Sequence, residues 1–150
     1  MKSVKALSSI AFLCMLLIAC GEGQMIPDMP AHPNTSAGLA FPGSPVELFD
    51  SNLDEALKIY SPLVLDCWEL GCWPCQKMET TIDQMAKDFK GEIVFGKLCT
   101  DFNPVTTGEY GILRTPTLLI FRNGTLIYKD VGNYPREELE HIILAALLMR

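Results

Sequence analysis

Asp66-Cys67-Trp68-Glu69-Leu70-Gly71-Cys72-Trp73-Pro74-Cys75 is the stretch on which the reading of this chain turns. Cys72 and Cys75 stand in C-x-x-C spacing, directly after the apolar run Leu63-Val64-Leu65 and directly before residues with helical periodicity. A strand-to-helix junction suits thiol–disulfide chemistry. The unpaired N–H groups and positive dipole end of a helix stabilise a thiolate at its first residue, here Cys72. Cys75, one turn in, is close enough to close a disulfide with it. A C-x-x-C pair can equally be a static disulfide or half of a zinc site. Zinc needs further ligands, and His32 and His141 lie in a Pro-rich segment and in the last predicted helix, leaving only Cys67 or Cys99 to help. No metal site is assigned.

Outward from the motif, the chain alternates between two periods. Toward the C-terminus, Met78, Ile82, Met85 and Phe89 recur at three- and four-residue steps, so the motif heads an amphipathic helix ending near Gly91. Ile93–Leu98 is the next strand, and Asn103-Pro104 opens a short helix through about Tyr110. Thr117–Phe121 and Thr125–Asp130 flank Arg122-Asn123-Gly124, a hairpin connection whose Asn-Gly supplies positive-φ residues. Pro135 suits the first turn of a final helix, with Leu139, Ile142, Ile143, Ala146 and Leu147 facing the core.

Toward the N-terminus, Leu63–Cys67 is a buried strand, preceded by a helix with the stripe Leu53, Ala56, Leu57 and Tyr60 and a cap at Asp50 or Ser51. Val46-Glu47-Leu48 is an edge strand. The order β-α-β-α-β-α-β-β-α predicts an α/β fold: a central mixed sheet, parallel through the crossovers and antiparallel at the hairpin, flanked by helices on both faces.

Before this domain the composition changes. Residues 1–19 carry Lys2 and Lys5 and then an apolar run from Ile10 to Ala19, the layout of a secretory signal and too short for a membrane anchor. The run ends in Leu17-Ile18-Ala19-Cys20, which resembles a bacterial lipobox; that resemblance implies cleavage before Cys20 and lipidation of its sulfur. Residues 20–45, with Pro27, Pro30, Pro33, Pro42 and Pro45, read as the lipidated cysteine and an extended tether to a domain spanning 46–150. Loss of residues 1–19 removes two of the twelve basic residues and none of the eighteen acids, taking the net charge from −6 to −8. Such a chain makes no electrostatic case for nucleic acid. Of the six cysteines, Cys14 leaves with the signal and Cys20 takes lipid, leaving Cys67, Cys72, Cys75 and Cys99. An exported compartment permits disulfides.

Across residues 46–150 the chain resembles the thioredoxin family. The resemblance is carried by Val64-Leu65-Asp66, Trp68, Cys72-x-Pro74-Cys75, Lys97, Asp101-Phe102-Asn103-Pro104, Tyr110-Gly111-Ile112, Thr115-Pro116-Thr117, Asn123-Gly124 and Val131-Gly132, in the family's order and at compatible spacing. The departures lie in and beside the motif. Trp73 stands where the family usually has glycine, Gly71 where it has tryptophan, Thr80 where a proline commonly kinks the motif helix, and Cys67 at a position usually aromatic. There is no room for the large helical insertion of the disulfide-forming oxidase class, which favours a reductase.

The resemblance and the residues together define a candidate site. Cys72 is the nucleophile and Cys75 the resolving thiol. Asp66, a carboxylate in an otherwise apolar strand, has a raised pKa and is a candidate acceptor for the Cys75 proton. The resemblance implies that Lys97 partners Asp66. It also implies a cis bond at Thr115-Pro116, which presents the Thr115 backbone for strand-like pairing with a bound peptide. Trp73 and Pro74 form the rim that substrates touch, while Trp68 packs beneath. If Lys97 meets Asp66, as the resemblance implies, strand parity puts Cys99 on the side of Lys97 and Cys67 on the opposite face, so these two thiols are not expected to pair.

The expected function is disulfide reduction or exchange in exported proteins, with electrons from a membrane donor and no cofactor beyond the Cys72–Cys75 disulfide. The expected location is the cell envelope, on the extracytoplasmic side of a membrane (periplasmic in a Gram-negative host), held there by lipid, with the protein a monomer. Two alternatives stay open at this point: a dedicated reductase for apocytochrome or metallochaperone thiols, and a non-enzymatic metal-binding lipoprotein.

Overall fold

Strand β2 (Leu63–Trp68) forms the centre of a five-stranded sheet of order β1-β3-β2-β4-β5. Its partners are β3 (Val94–Cys99), parallel, and β4 (Thr117–Arg122), antiparallel. Strand β1 (Val46–Glu47) joins the outer side of β3 in parallel, and β5 (Thr125–Val131) pairs antiparallel with β4 through the Asn123-Gly124 turn, where both residues have positive φ. The computed structural model describes residues 41–149. The expected signal segment 1–19, Cys20 and the tether as far as residue 40 lie outside the described residues. Among the described residues, no helix is long and apolar enough to cross a membrane.

Because strand side chains alternate, β2 feeds two separate cores. Leu63, Leu65 and Cys67 point into one, with Leu98, Leu119 and Phe121 from neighbouring strands and Leu53, Ala56 and Leu57 from helix α1 (Leu53–Ile59). Val64 points into the other, with Phe95, Leu118 and Ile120. That second core is closed by Met78, Ile82 and Met85 of α2 (Trp73–Asp88) and by Leu139, Ile143 and Ala146 of α4 (Arg136–Leu148). Met78, Ile82 and Met85 are fully buried, each worth about 1.5–3 kcal/mol against exposure. The alternation expected from the sequence therefore produces the helix-covered mixed sheet that was expected. Helix α2 continues unbroken through Thr80. Phe41 already packs on Tyr60, with ring centroids 6.4 Å apart, so contacts with the first core reach ahead of Val46.

One expectation about local structure is corrected. The cap of α1 is Asn52, not Asp50 or Ser51. Asp50 instead reaches across the chain to the start of α3 (Pro104–Glu109), accepting from the backbone N–H groups of Val105 at 3.0 Å and Thr106 at 2.8 Å. It thereby satisfies donors that the first turn of a helix leaves open. The side chain of Asn103, the residue at the cap position of α3, is engaged elsewhere. It is buried, donates to the Cys99 carbonyl and accepts from the Asp50 N–H, both at 2.7 Å. These bonds fix the β3–α3 connection, which includes the 3-10 turn Thr100–Phe102.

Replacing Asn103 by Ala leaves a buried carbonyl and an N–H without partners. At roughly 1–3 kcal/mol for each unsatisfied group, the variant loses at least about 2 kcal/mol. The urea midpoint should fall with the slope of the transition unchanged.

Candidate active site

Period-two alternation puts Asp66 on the same face of the sheet as Val64, under helix α2. Trp68 ends the strand, and the chain turns through Glu69-Leu70-Gly71 into Cys72, the N-cap of α2. The Cys72 N–H donates to the Glu69 carbonyl at 3.4 Å, and Gly71, the third residue of this turn, has φ +77°. That conformation disfavours any side chain, although the space beside Gly71 is open. Tryptophan, usual at this position in the family, would be strained in this turn. The indole is found instead on Trp73, 64% exposed, with the Lys77 ammonium 3.9 Å from its ring centroid.

Cys72 and Cys75 form a disulfide with Cα atoms 5.3 Å apart. Cys72 is partly exposed and its Sγ accepts from the Cys75 N–H at 3.1 Å, while Cys75 is buried. The donor that caps the helix is thus already aimed at the sulfur on which a thiolate would form, and Pro74 occupies the first turn of the helix, where no N–H is needed. A cleft of about 220 Å³ runs beneath the disulfide, lined by Asp66, Trp68, Cys72, Cys75, Glu79 and Lys97 among others. The motif loop is tied down from the β3–α3 connection. The Leu70 N–H donates to Asp101 Oδ2 at 2.7 Å, and the Thr100 hydroxyl donates to the Trp68 carbonyl at 3.2 Å.

Asp66 is 1% exposed and its Oδ1 has no hydrogen-bond partner. Burial pushes its carboxyl up to about 7, with the Lys97 charge opposing and the Glu79 charge adding to the rise. Lys97 stands opposite Asp66 in the β2–β3 register, as the family resemblance implied. The implied pair does not form. The Lys97 ammonium goes to two carboxylates of α2, Glu79 at 3.0 Å and Asp83 at 2.7 Å. Burial works against the Lys97 charge, but its hydrogen bonds to Asp83 and Glu79 outweigh that and hold its pKa above the ordinary lysine value. Two acids outcompete one because Glu79 and Asp83 keep access to water, with side chains 55% and 43% exposed, while Asp66 is sealed under the helix.

The Thr115-Pro116 bond is cis. Register places it where β4 leaves Thr117 opposite Cys67, at the end of the sheet from which the motif springs. Pro116 is buried, its carbonyl accepts from the Gly132 N–H at 3.0 Å, and the Thr115 hydroxyl is buried without a partner. Cys67 and Cys99 are free, buried and on opposite faces, as parity predicts with Lys97 in register with Asp66. Burial, with the Asp66 charge adding, drives the Cys67 thiol far above its ordinary value. Burial also raises Cys99, whose thiol donates to Asp101 Oδ2 at 3.6 Å. Among the described residues, no group of three or more His, Cys, Asp or Glu is placed to hold a metal ion.

Sequence reading thus identified Cys72, Cys75, Asp66, Lys97, Trp73, Pro74, Thr115 and Pro116, and the structure gathers the first four around one cleft. It missed Glu79, Asp83 and Asp101. The first two were detectable: residues 72, 76, 79 and 83 recur at helical steps along the edge of the apolar stripe, and two of them are acids. Asp101 stood out only as part of the resemblance, because its partner in the motif loop, the Leu70 N–H, lies 31 residues away in sequence.

A disulfide at the start of a helix, with a cis-proline at the same end of a five-stranded mixed sheet, is the arrangement of the thioredoxin class. The Thioredoxin family model matches residues 44–145, and the chain belongs to that family. It is similar to the thioredoxin of Alicyclobacillus acidocaldarius subsp. acidocaldarius, 33% identical over 93 residues, which are 62% of this chain and 89% of that protein. It is likewise similar to the thioredoxin of Staphylococcus haemolyticus, 34% identical over 98 residues, covering 65% of this chain and 93% of that one. In fold it resembles a mutant thioredoxin from Halobacterium salinarum NRC-1, with a TM-score of 0.66 at 23% identity over 73% of this chain and 96% of that structure.

The raised Asp66 pKa has a consequence for stability. An acid whose folded pKa exceeds its unfolded value stabilises the fold while protonated; this contribution is complete below the unfolded value near 4 and is lost as pH rises toward 7. Three pKa units correspond to about 4 kcal/mol. Asp66→Asn should therefore be more stable than the parent at pH 8 by an amount of that order, with the gain shrinking toward zero at pH 4. Urea unfolding at the two pH values measures it.

Proposed function

We propose that this protein is a lipid-anchored thiol–disulfide oxidoreductase of the cell envelope that reduces or exchanges disulfides in exported proteins. The carrying observation is the Cys72–Cys75 disulfide at the start of α2, in one cleft with a buried carboxyl whose pKa is pushed up to about 7. In the reduced form the Cys72 thiolate attacks a partner disulfide. A Cys72 mixed disulfide forms, and one partner sulfur leaves and takes up a proton. The Cys75 thiol then passes its proton to Asp66 and attacks Cys72 Sγ. The mixed disulfide breaks, the intramolecular one forms, and the second partner sulfur leaves with the proton held by Asp66. Two electrons have passed to the partner. A dithiol donor in the membrane returns them with two protons.

Substrate contact falls to Trp73, Pro74 and the Thr115-Pro116 backbone. The exposed indole offers apolar area at low entropic cost, and the Thr115 backbone lies at the end of β4 where an extended peptide can pair. Support for the location comes from the sequence alone, in the signal-like residues 1–19 and Leu17-Ile18-Ala19-Cys20.

In an insulin-reduction assay with dithiothreitol, the full chain should turn over, Cys72→Ser should be inactive, and Cys75→Ser should accumulate a mixed disulfide through Cys72. No turnover by the parent chain would refute the activity. A redox titration against glutathione tests the direction, and a strongly oxidising potential would overturn the reductase assignment. Cys20→Ala should move the protein from the membrane to the soluble fraction of the cell envelope; unchanged fractionation would refute the anchor.

A further inference from the structure

The cleft beneath the disulfide has a charged mouth that the exchange steps do not use. From β3 it receives Lys97, from α2 Glu79 with Cys72, Cys75 and Gln76, and from the motif loop Glu69. Asp83, one turn beyond Glu79, reaches the same ammonium. From β4 the residue opposite Asp66 is Leu118, which is apolar. Among the described residues, Lys97 is thus the one cation lining the cleft with Asp66, and it is taken by acids of the motif helix.

We infer that Glu79 is a positioning residue of this site: it holds the Lys97 ammonium off Asp66, adds its own charge at the cleft mouth, and so sets the pH above which Asp66 can accept the Cys75 proton. The inference rests on the oxidoreductase reading for its meaning in turnover, but the geometry stands apart from it. Asp66 Oδ1 has no partner although Lys97 occupies the adjacent register position, while Glu79 Oε1 lies 3.0 Å from Lys97 Nζ. A lysine stem is flexible enough to turn its head group toward either side. With the ammonium held by Glu79 and Asp83, the buried carboxyl lacks the close cation that would favour its charged form. Release of the ammonium would favour the carboxylate. Glu79 lines the cleft and Asp83 does not, so the two acids are unequal in effect.

The test is a carboxyl ¹³C NMR titration of Asp66 in the oxidised full chain, in which neither Cys72 nor Cys75 titrates. Glu79→Gln should lower the Asp66 midpoint by about one pH unit. Glu79→Asp, which keeps the charge, should stay near the parent value. Lys97→Met should raise it. An unchanged or raised midpoint in Glu79→Gln overturns the inference. Glu79 is more than half exposed, so the substitution is compatible with folding. In stopped-flow reduction of a partner disulfide, the alkaline-rising limb assigned to Asp66 should move to lower pH in Glu79→Gln by the same interval, with KM unchanged. A uniform loss of rate at every pH would mark a merely structural role and overturn the inference. Because the titration needs no turnover, inactivity of the parent chain would refute the oxidoreductase reading and leave the midpoint to decide the role of Glu79.

Discussion

The placement of one carboxyl in the central strand governs the rest of this structure. Strand β2 is hydrogen-bonded on both sides and buried on both faces, so it has no solvated edge to which a polar side chain could escape. Asp66 nevertheless occupies it, facing the helix that carries the two cysteines. Burying that group is destabilising, and it puts a carboxyl of raised pKa in the cleft that Cys75 also lines. The surrounding core, built from residues such as Met78, Ile82 and Phe95, offsets the loss.

Around this carboxyl the molecule organises charge by competition. Lys97 could neutralise Asp66 across the strand pair, but Glu79 and Asp83 approach it from the helix and win it. Solvation explains the outcome: the helix acids remain partly in water while they hold the ammonium, whereas Asp66 is buried. Position therefore decides which carboxylates hold the ammonium, although the acid side chains are chemically alike.

Local backbone geometry shapes the motif loop in a similar way. Gly71 takes a positive φ that a side chain would oppose, the Leu70 N–H is held by Asp101, and the Cys72 sulfur accepts the donor that caps α2. The usual aromatic neighbour of the first cysteine is replaced by an indole on the other side of it, at Trp73, where it stands clear of the fold and is steadied by Lys77. The distant anchor of this loop, Asp101, belongs to a connection that Asn103 and Asp50 hold in place by cross-chain hydrogen bonds.

What was legible in the sequence is what repeats locally. The apolar run Leu63-Val64-Leu65, the period of 3.6 in Met78–Phe89 and the Asn123-Gly124 turn determined the elements, and the C-x-x-C at a strand–helix junction located the cysteine pair. Strand parity separated Cys67 from Cys99 once the resemblance set Lys97 against Asp66, the register that the strands adopt. Tertiary structure alone decided the partners of polar groups: Lys97 with Glu79 and Asp83, Asp50 with α3, and Asp101 with Leu70. Periodicity reports which face a residue occupies, because that follows from backbone geometry. It carries no information on which of several acids within reach of one ammonium will hold it, because that depends on distance and residual hydration in the folded state.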